Sequence, residues 1–498
     1  MDDVVVKTER GSVRGRIADG IAIFKGVPYA APPFGALRFK APAPHEPWEG
    51  VRDALEYGPT VPKAPYFSPF DQILPEPAFP GEDCLNLNIW SPSVTEGGKP
   101  VLVWIHGGAF ANGSGAVPQY EGSRFARDGV VCVTINYRLG ADGFLYFAEG
   151  DANRGLLDQV AALTWVRDNI AAFGGDPANV TIAGESAGGM SVTTLLSMPR
   201  AAGLFHRVIA QSGAGHHTIS TETATMMAGH LVKKLGVEPT PEGVAAAPLE
   251  KLLSAQVELS VETFLNRDPA LYGEVAFNSM PFEPVVDGKV LPDRPYRLLE
   301  EGGAPGVDVL VGTNAEEQRL FAVPTGAIDM VTDEALRATI ASFGLPVEDA
   351  LAAYGAPRPG ASAGDIHAAL ITDWFLRVPA IRLAEARARN GERVYAYQFD
   401  WKSPLFDGRL GACHALEIPF TFDTLDTEGT DHITGATGEE TQKIADVMHK
   451  AWVDFIAIGD PGWLRFDPAR RAVMLFDTTS EIAEDPHGAE RVLWEGKR

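Results

Sequence analysis

Short apolar runs bounded by turn residues alternate, through the middle of the chain, with longer stretches of helical spacing. Residues 101–105 (Val-Leu-Val-Trp-Ile), set between Pro100 and a glycine pair, predict a buried strand. Residues 130–135 form a second such run, rich in β-branched side chains. Between 155 and 173, Leu156, Val160, Leu163, Val166 and Ile170 recur at the interval of one helix face. A third strand is predicted at 179–183, a helix at 188–198 and a fourth strand at 207–211, with later strands at 307–311 and 394–399. Strand and helix alternate, which predicts an α/β class fold: a mainly parallel central sheet flanked by helices on both faces. Two stretches, near 220–292 and 322–392, turn helical and amphipathic and are read as insertions forming a cap. Residues 1–498 are thus expected to make one domain with cap insertions, in which 60–80, dense in proline and aromatics, is a long surface loop.

The length of 498 residues exceeds what one compact core usually fills, in keeping with large insertions. No apolar stretch is long enough to span a bilayer. The N-terminus opens on acids with no basic-then-apolar segment, so no signal peptide is expected. Three cysteines, Cys84, Cys132 and Cys413, cannot build a disulfide framework and lack metal-ligand spacing, which suits a reducing, cytoplasmic setting. The net charge of −24 argues against nucleic-acid binding, since phosphates would be repelled.

Chemistry enters with Gly184-Glu185-Ser186-Ala187-Gly188. A G-x-S-x-G pentapeptide alone is weak, and Ser186 could merely cap a helix. Placed after a predicted strand and before a predicted helix, it has the setting of a nucleophile elbow. The glycines leave room for a strained turn, and the helix beyond points its first backbone donors at the serine. A serine nucleophile also needs donors for the oxyanion. One is the N–H of Ala187. His106-Gly107-Gly108-Ala109-Phe110, after the 101–105 strand, supplies small residues whose backbone can approach closely. Gly108 and Ala109 are the favoured donors, with Gly107 shaping the loop or donating in place of one of them.

The segments that carry these motifs resemble the type-B carboxylesterase and cholinesterase family. Residues 173–188 (Phe-Gly-Gly-Asp-Pro-Ala-Asn-Val-Thr-Ile-Ala-Gly-Glu-Ser-Ala-Gly) look like its serine signature and 82–88 (Glu-Asp-Cys-Leu-Asn-Leu-Asn) like its second signature; 24–33 and 136–140 resemble further family segments. The pattern is nearest the bacterial para-nitrobenzyl esterase type and runs nearly end to end. The segment 398–422 is also similar to carbamate-cleaving relatives. The resemblance implies an α/β-hydrolase fold. It departs at Cys84, whose disulfide partner in secreted members is absent: Val61 stands roughly in its place.

In the α/β-hydrolase order the acid and base follow the serine. The family's G-T-x-x-(D/E)-E-G pattern matches 312–317 with Gln318 in place of the last glycine, which makes Glu317 the expected acid and Glu316 the fallback. Among His367, His414, His432, His449 and His487, the resemblance selects His414, in Gly411-Ala-Cys-His-Ala-Leu-Glu-Ile-Pro-Phe420, as the base. His449 falls on an amphipathic helix and reads as structural. Ser212, Phe321, Ile371, Trp374 and Phe375 resemble positions around the substrate, although a strand-end hydroxyl and core aromatics are equally plain readings. The expected activity is metal- and cofactor-free hydrolysis of short- to medium-chain or aromatic carboxylic esters through an acyl-enzyme. The expected partner is a small-molecule ester, with no nucleic acid or membrane, on a monomer or weak oligomer. Carbamate or aryl-amide cleavage on the same triad is the alternative, and a non-catalytic adhesion module is a more distant one.

Overall fold

The computed structural model describes residues 2–497. Its first strands, β1 (Asp2–Lys7), β2 (Ser12–Ala18) and β3 (Ile21–Pro28), form an antiparallel edge, with β4 (Val51–Asp53) alongside β2. Strand β5 (Asn86–Ser91) pairs antiparallel with β3 and with β7 (Val131–Ile135), beyond which β6 (Lys99–Ile105), β8 (Gly175–Glu185) and β9 (Arg207–Gln211) run parallel. A separate two-stranded ladder joins β10 (Ile219–Ser220) to β11 (Val285–Val286). The main sheet continues in parallel through β12 (Asp308–Asn314), β13 (Val394–Phe399) and β14 (Ala472–Phe476), and ends on antiparallel β15 (Glu481–Glu484). The 13 strands lie in the order β1-β2-β3-β5-β7-β6-β8-β9-β12-β13-β14-β15, with β4 off the path beside β2.

The unbroken apolar runs of the central strands have a direct cause: both faces are covered. In β6, Val101, Val103 and Ile105 face a core filled by helices Arg154–Asn169, Ala187–Ser197 and Val378–Arg389, whereas Leu102 and Trp104 face a second core built on helix Glu439–Ile458. β13 divides in the same way, Val394 and Ala396 to the first core and Tyr395, Tyr397 and Phe399 to the second. The two helical stretches of the sequence have small cores of their own. One, around Ile219, Met227, Tyr272 and Val275, lies over the β10–β11 ladder. The other gathers Leu336, Ile340, Tyr354, Leu370 and the C-terminal Trp494. The second stretch ends in helix Val378–Arg389, which packs on β12 and β13 themselves. Among the described residues no helix is long and apolar enough to cross a membrane.

Parallel order carries one consequence for chemistry. The loops after β6, β8, β9, β12 and β13 all leave the sheet at its carboxyl edge, where open α/β sheets hold their ligands. His106–Phe110, Ser186, Ser212, Glu317 and His414 lie on those five loops.

Candidate active site

Ser186 is the residue between β8 and helix Ala187–Ser197, with φ 57° and ψ −124°. A side chain in that region costs about 1–3 kcal/mol and persists only where its surroundings enforce it. Here they do. The Ser186 N–H donates to the Gln211 carbonyl at 2.9 Å. A Cβ on Gly188 would collide with the Ile105 carbonyl, and one on Gly184 would meet the same oxygen at 2.6 Å. Both flanking glycines are therefore required by the close approach of β6. The Ser186 hydroxyl makes no capping bond to the helix, so helix capping does not account for the residue.

The loop after β6 runs beside the serine. A Cβ on Gly107 would lie 3.0 Å from Ser186 Cβ and 2.8 Å from the Glu185 carbonyl. Gly108, Ala109 and Phe110 all take positive φ (108°, 53° and 59°), a run that turns the chain sharply back. Among the described residues the N–H groups of Gly107, Gly108, Ala109 and Ala187 donate to no protein acceptor. Four N–H groups on the Ser186 turn and the loop beside it are thus without a protein acceptor among the described residues, one of them at a helix N-terminus.

Glu317 and His414 meet across 97 residues of chain. His414 Nδ1 donates to Glu317 Oε2 at 2.7 Å, and both side chains are almost wholly buried. The other carboxylate oxygen, Oε1, accepts from the Asn314 N–H at 2.7 Å, so the carboxyl group is fixed at both ends. Glu316, the fallback, points elsewhere: it pairs with Arg319 at 3.0 Å and accepts from the Ala412 N–H. Gln318, where the family pattern has glycine, is accommodated by donating its N–H to Thr372 Oγ1 at 3.1 Å. The loop is also gripped from below, since Arg377, buried between Asp373 and Glu490, donates to the Ala315 carbonyl at 2.5 Å.

Among the described residues, no hydrogen bond joins Ser186 to His414. Instead His414 Nε2 lies 3.1 Å from Glu185 Oε1. Such bonds are often unformed before substrate arrives. Glu185 is a site residue that the sequence reading passed over, although it stands inside the serine pentapeptide. Glu417 is another, three residues after His414: it accepts from Asn314 Nδ2 at 2.6 Å and from Gln211 Nε2 at 3.1 Å. Burial pushes Glu185 up to about 8, against the attraction of His414. Burial and the neighbouring Glu317 raise Glu417 to about 6. For His414, burial favours the neutral ring, but the surrounding carboxylates outweigh it and raise the imidazole to about 9.

The remaining expected positions divide. Ser212 follows β9 with φ 47°, and its buried hydroxyl has no hydrogen-bond partner among the described residues. The Phe321 ring lies 5.4 Å from the His414 ring and against Phe70, which makes an aromatic wall beside that imidazole. Ile371 is buried on helix Ala363–Thr372. Phe375 packs on His217, 4.4 Å between ring centres. Trp374 is placed with other aromatics, stacked at 4.4 Å on Phe343 and tilted against Trp494 at 5.8 Å. His449, as expected, is structural: its Nδ1 bonds the Thr421 carbonyl at 2.8 Å and its ring packs on Phe125. Among the described residues no group of three or more His, Cys, Asp or Glu side chains is arranged to hold a metal ion.

A parallel-centred sheet with helices on both faces, carrying a serine on a strained strand-to-helix turn, defines an α/β-hydrolase. Within that class the chain belongs to the carboxylesterase family, whose profile matches residues 2–490. It is 37% identical to the para-nitrobenzyl esterase of Bacillus subtilis (strain 168), over 99% of this chain and 98% of that one. It is 38% identical to the phenmedipham hydrolase of Pseudarthrobacter oxydans, over 97% of each. The solved structure of the Geobacillus stearothermophilus carboxylesterase EST55 superposes with a TM-score of 0.86 at 38% identity, covering 98% of this chain and 99% of that one. The chain is a carboxylic ester hydrolase.

Proposed function

We propose that Ser186, His414 and Glu317 act as nucleophile, general base and orienting acid in a two-step hydrolysis through an acyl-enzyme. The observation that carries this reading is the buried 2.7 Å bond between His414 and Glu317, on loops that leave the same sheet edge as the strained Ser186 turn. Glu317 holds the Nδ1–H tautomer, which leaves Nε2 to take the Ser186 proton as Oγ attacks the ester carbonyl. The negative oxygen that develops is received by the N–H groups of Gly108, Ala109 and Ala187, with Gly107 shaping the loop or replacing one of them. His414 returns the proton to the leaving alcohol, and water then attacks the acyl-enzyme with His414 as base.

The substrates are short- to medium-chain or aromatic carboxylic esters. The Phe70–Phe321 wall beside His414 supports an apolar or aromatic alcohol group. Three buried free cysteines support a reducing, cytoplasmic setting. The helical stretches at 220–292 and 322–392 are assigned as the cap insertions of one domain. Carbamate cleavage is the second reading, favoured by the 38% identity to a phenmedipham hydrolase. Turnover of a phenyl carbamate against its matched ester separates the two.

Hydrolysis of p-nitrophenyl acetate, butyrate and octanoate by the wild type and by Ser186→Ala tests the scheme. Loss of activity in the variant by about a thousandfold or more is expected; an active variant refutes the nucleophile.

A further inference from the structure

The loop 60–80, an expected surface loop, sends two charged side chains inward. The Lys63 side chain is 2% exposed and that of Glu76 12% exposed. Glu76 Oε1 accepts from Lys63 Nζ at 3.1 Å and from the Gly113 N–H at 3.1 Å, while Oε2 accepts from Asn112 Nδ2 at 3.2 Å. Lys63 also donates to the Pro77 carbonyl at 3.1 Å, and Asn112 Nδ2 to the Ala64 carbonyl at 2.7 Å. Three donors from two segments, Lys63 and the adjacent Asn112 and Gly113, converge on one carboxylate, and its two oxygens satisfy all of them.

Asn112 and Gly113 are the far limb of the loop that carries the free amides. The N–H groups of Ala111 and Asn112 both donate to the Gly108 carbonyl, at 2.9 and 2.8 Å, which folds that limb onto the near one. The contact is tight: a Cβ on Gly108 would collide with the Asn112 carbonyl, and one on Gly113 with the Gly107 carbonyl and His106 Nδ1. The peptide planes at 107–109 are therefore packed directly against residues 112–113, and 112–113 are tied to Glu76. A buried ion pair is a poor way to gain stability, because desolvation offsets the attraction. As a fixed anchor for backbone dipoles it is well suited, since preorganised donors are what an oxyanion hole requires.

We propose that Glu76 is a positioning residue for the oxyanion hole, its carboxylate, held by Lys63, setting the orientation of the Gly107–Ala109 amides through Asn112 and Gly113. The proposal rests on the reading that those amides receive the oxyanion of the Ser186 reaction. Glu76 touches no substrate; it acts on the transition state through the loop.

The test compares wild type, Glu76→Ala, Glu76→Gln, Lys63→Met and Ser186→Ala in the full chain. It measures kcat and KM for p-nitrophenyl butyrate, with kcat referred to serines titrated to completion by a p-nitrophenyl phosphonate, so that misfolded chains do not count. It also measures inhibition by an aryl trifluoromethyl ketone, whose hemiketal oxygen occupies the hole. For Glu76→Ala the expected result is a kcat about 10- to 100-fold lower, KM within about twofold, and a ketone Ki raised by the same factor as kcat falls. Lys63→Met follows in the same direction, and Glu76→Gln, which keeps an acceptor for Gly113, recovers part of the loss. An unchanged kcat per titrated serine in Glu76→Ala overturns the proposal. So does a fall in kcat with an unchanged ketone Ki. An active Ser186→Ala removes the underlying reading whatever Glu76 does, whereas an inactive Ser186→Ala beside an unaffected Glu76→Ala overturns the clamp alone.

Discussion

The two halves of the site are built on different physics. The half supplied by β6 and β8 is a construction of backbone: glycines brought into contact, positive φ at Ser186 and Ala109, and amides left without acceptors. The half supplied by the loops after β12 and β13 is a construction of buried charge, with Glu317, Glu417 and, reaching across from β8, Glu185 arranged around His414. The first half fails when an atom is added. The second fails when a charge is removed, because Glu317 and Glu417 are each held by donors that would be left unpaired.

The largest effect should come from the second half. Glu317→Gln keeps the shape but loses the acceptor that fixes the His414 tautomer, and kcat should fall by about 10³- to 10⁴-fold. Glu316→Gln, which alters the partly exposed pairs with Arg319 and Lys402 and keeps an acceptor for the Ala412 N–H, should stay within about twofold. Steady-state kinetics of the two variants side by side checks both, and equal losses would mean that the acid is misassigned. In the first half, Gly107→Ala puts a methyl 2.8 Å from the Glu185 carbonyl and 3.0 Å from Ser186 Cβ, so the backbone must shift, and kcat should fall about 100-fold with a lowered melting temperature. A fully active Gly107→Ala enzyme would show that the loop has slack the contact distances deny.

Arg377→Met tests the support under the charged half. It leaves the buried Asp373 carboxylate with the Tyr354 hydroxyl alone, while Glu490 keeps Arg358 and His487, and should destabilise the fold by about 3 kcal/mol. Thermal and denaturant unfolding would register this, and an unchanged midpoint would mean that Asp373 finds another partner.

The smallest effect is a shift in pH dependence. His414 must be neutral to accept a proton, and the carboxylates around it favour the charged ring, so kcat/KM should rise with pH along a limb above the ordinary histidine range. Glu185→Gln removes one of those anions and should move the limb to lower pH. A limb that stays in place, or moves up, would show that Glu185 is uncharged in the working enzyme.

The contrast between the halves also explains what the sequence disclosed. Strands such as 207–211 and 394–399 were legible because both faces are buried and the apolar run is continuous. The antiparallel strands β1 to β5 were not, since Asp2–Lys7 and Ser12–Ala18 carry charges and small residues with little contrast to a loop. Ser186 and the Gly107–Ala109 loop were legible because backbone constructions demand glycine and leave it in the sequence. Glu317 and His414 needed the family register, as nothing in a lone glutamate or histidine tells whether the fold buries it. For the same reason Glu185, Glu417, Lys63 and Glu76 went unread. Their burial is made by segments distant in the chain, and a charged residue in a proline-rich loop otherwise reads as solvated surface.

The most direct test of the central assignment is the site of the covalent bond. After reaction of the wild type with an aryl phosphonate, intact mass followed by peptide mapping should find one adduct per chain, on the peptide containing Ser186, and none in Ser186→Ala. An adduct on any other residue, or a labelled Ser186→Ala, would contradict the account.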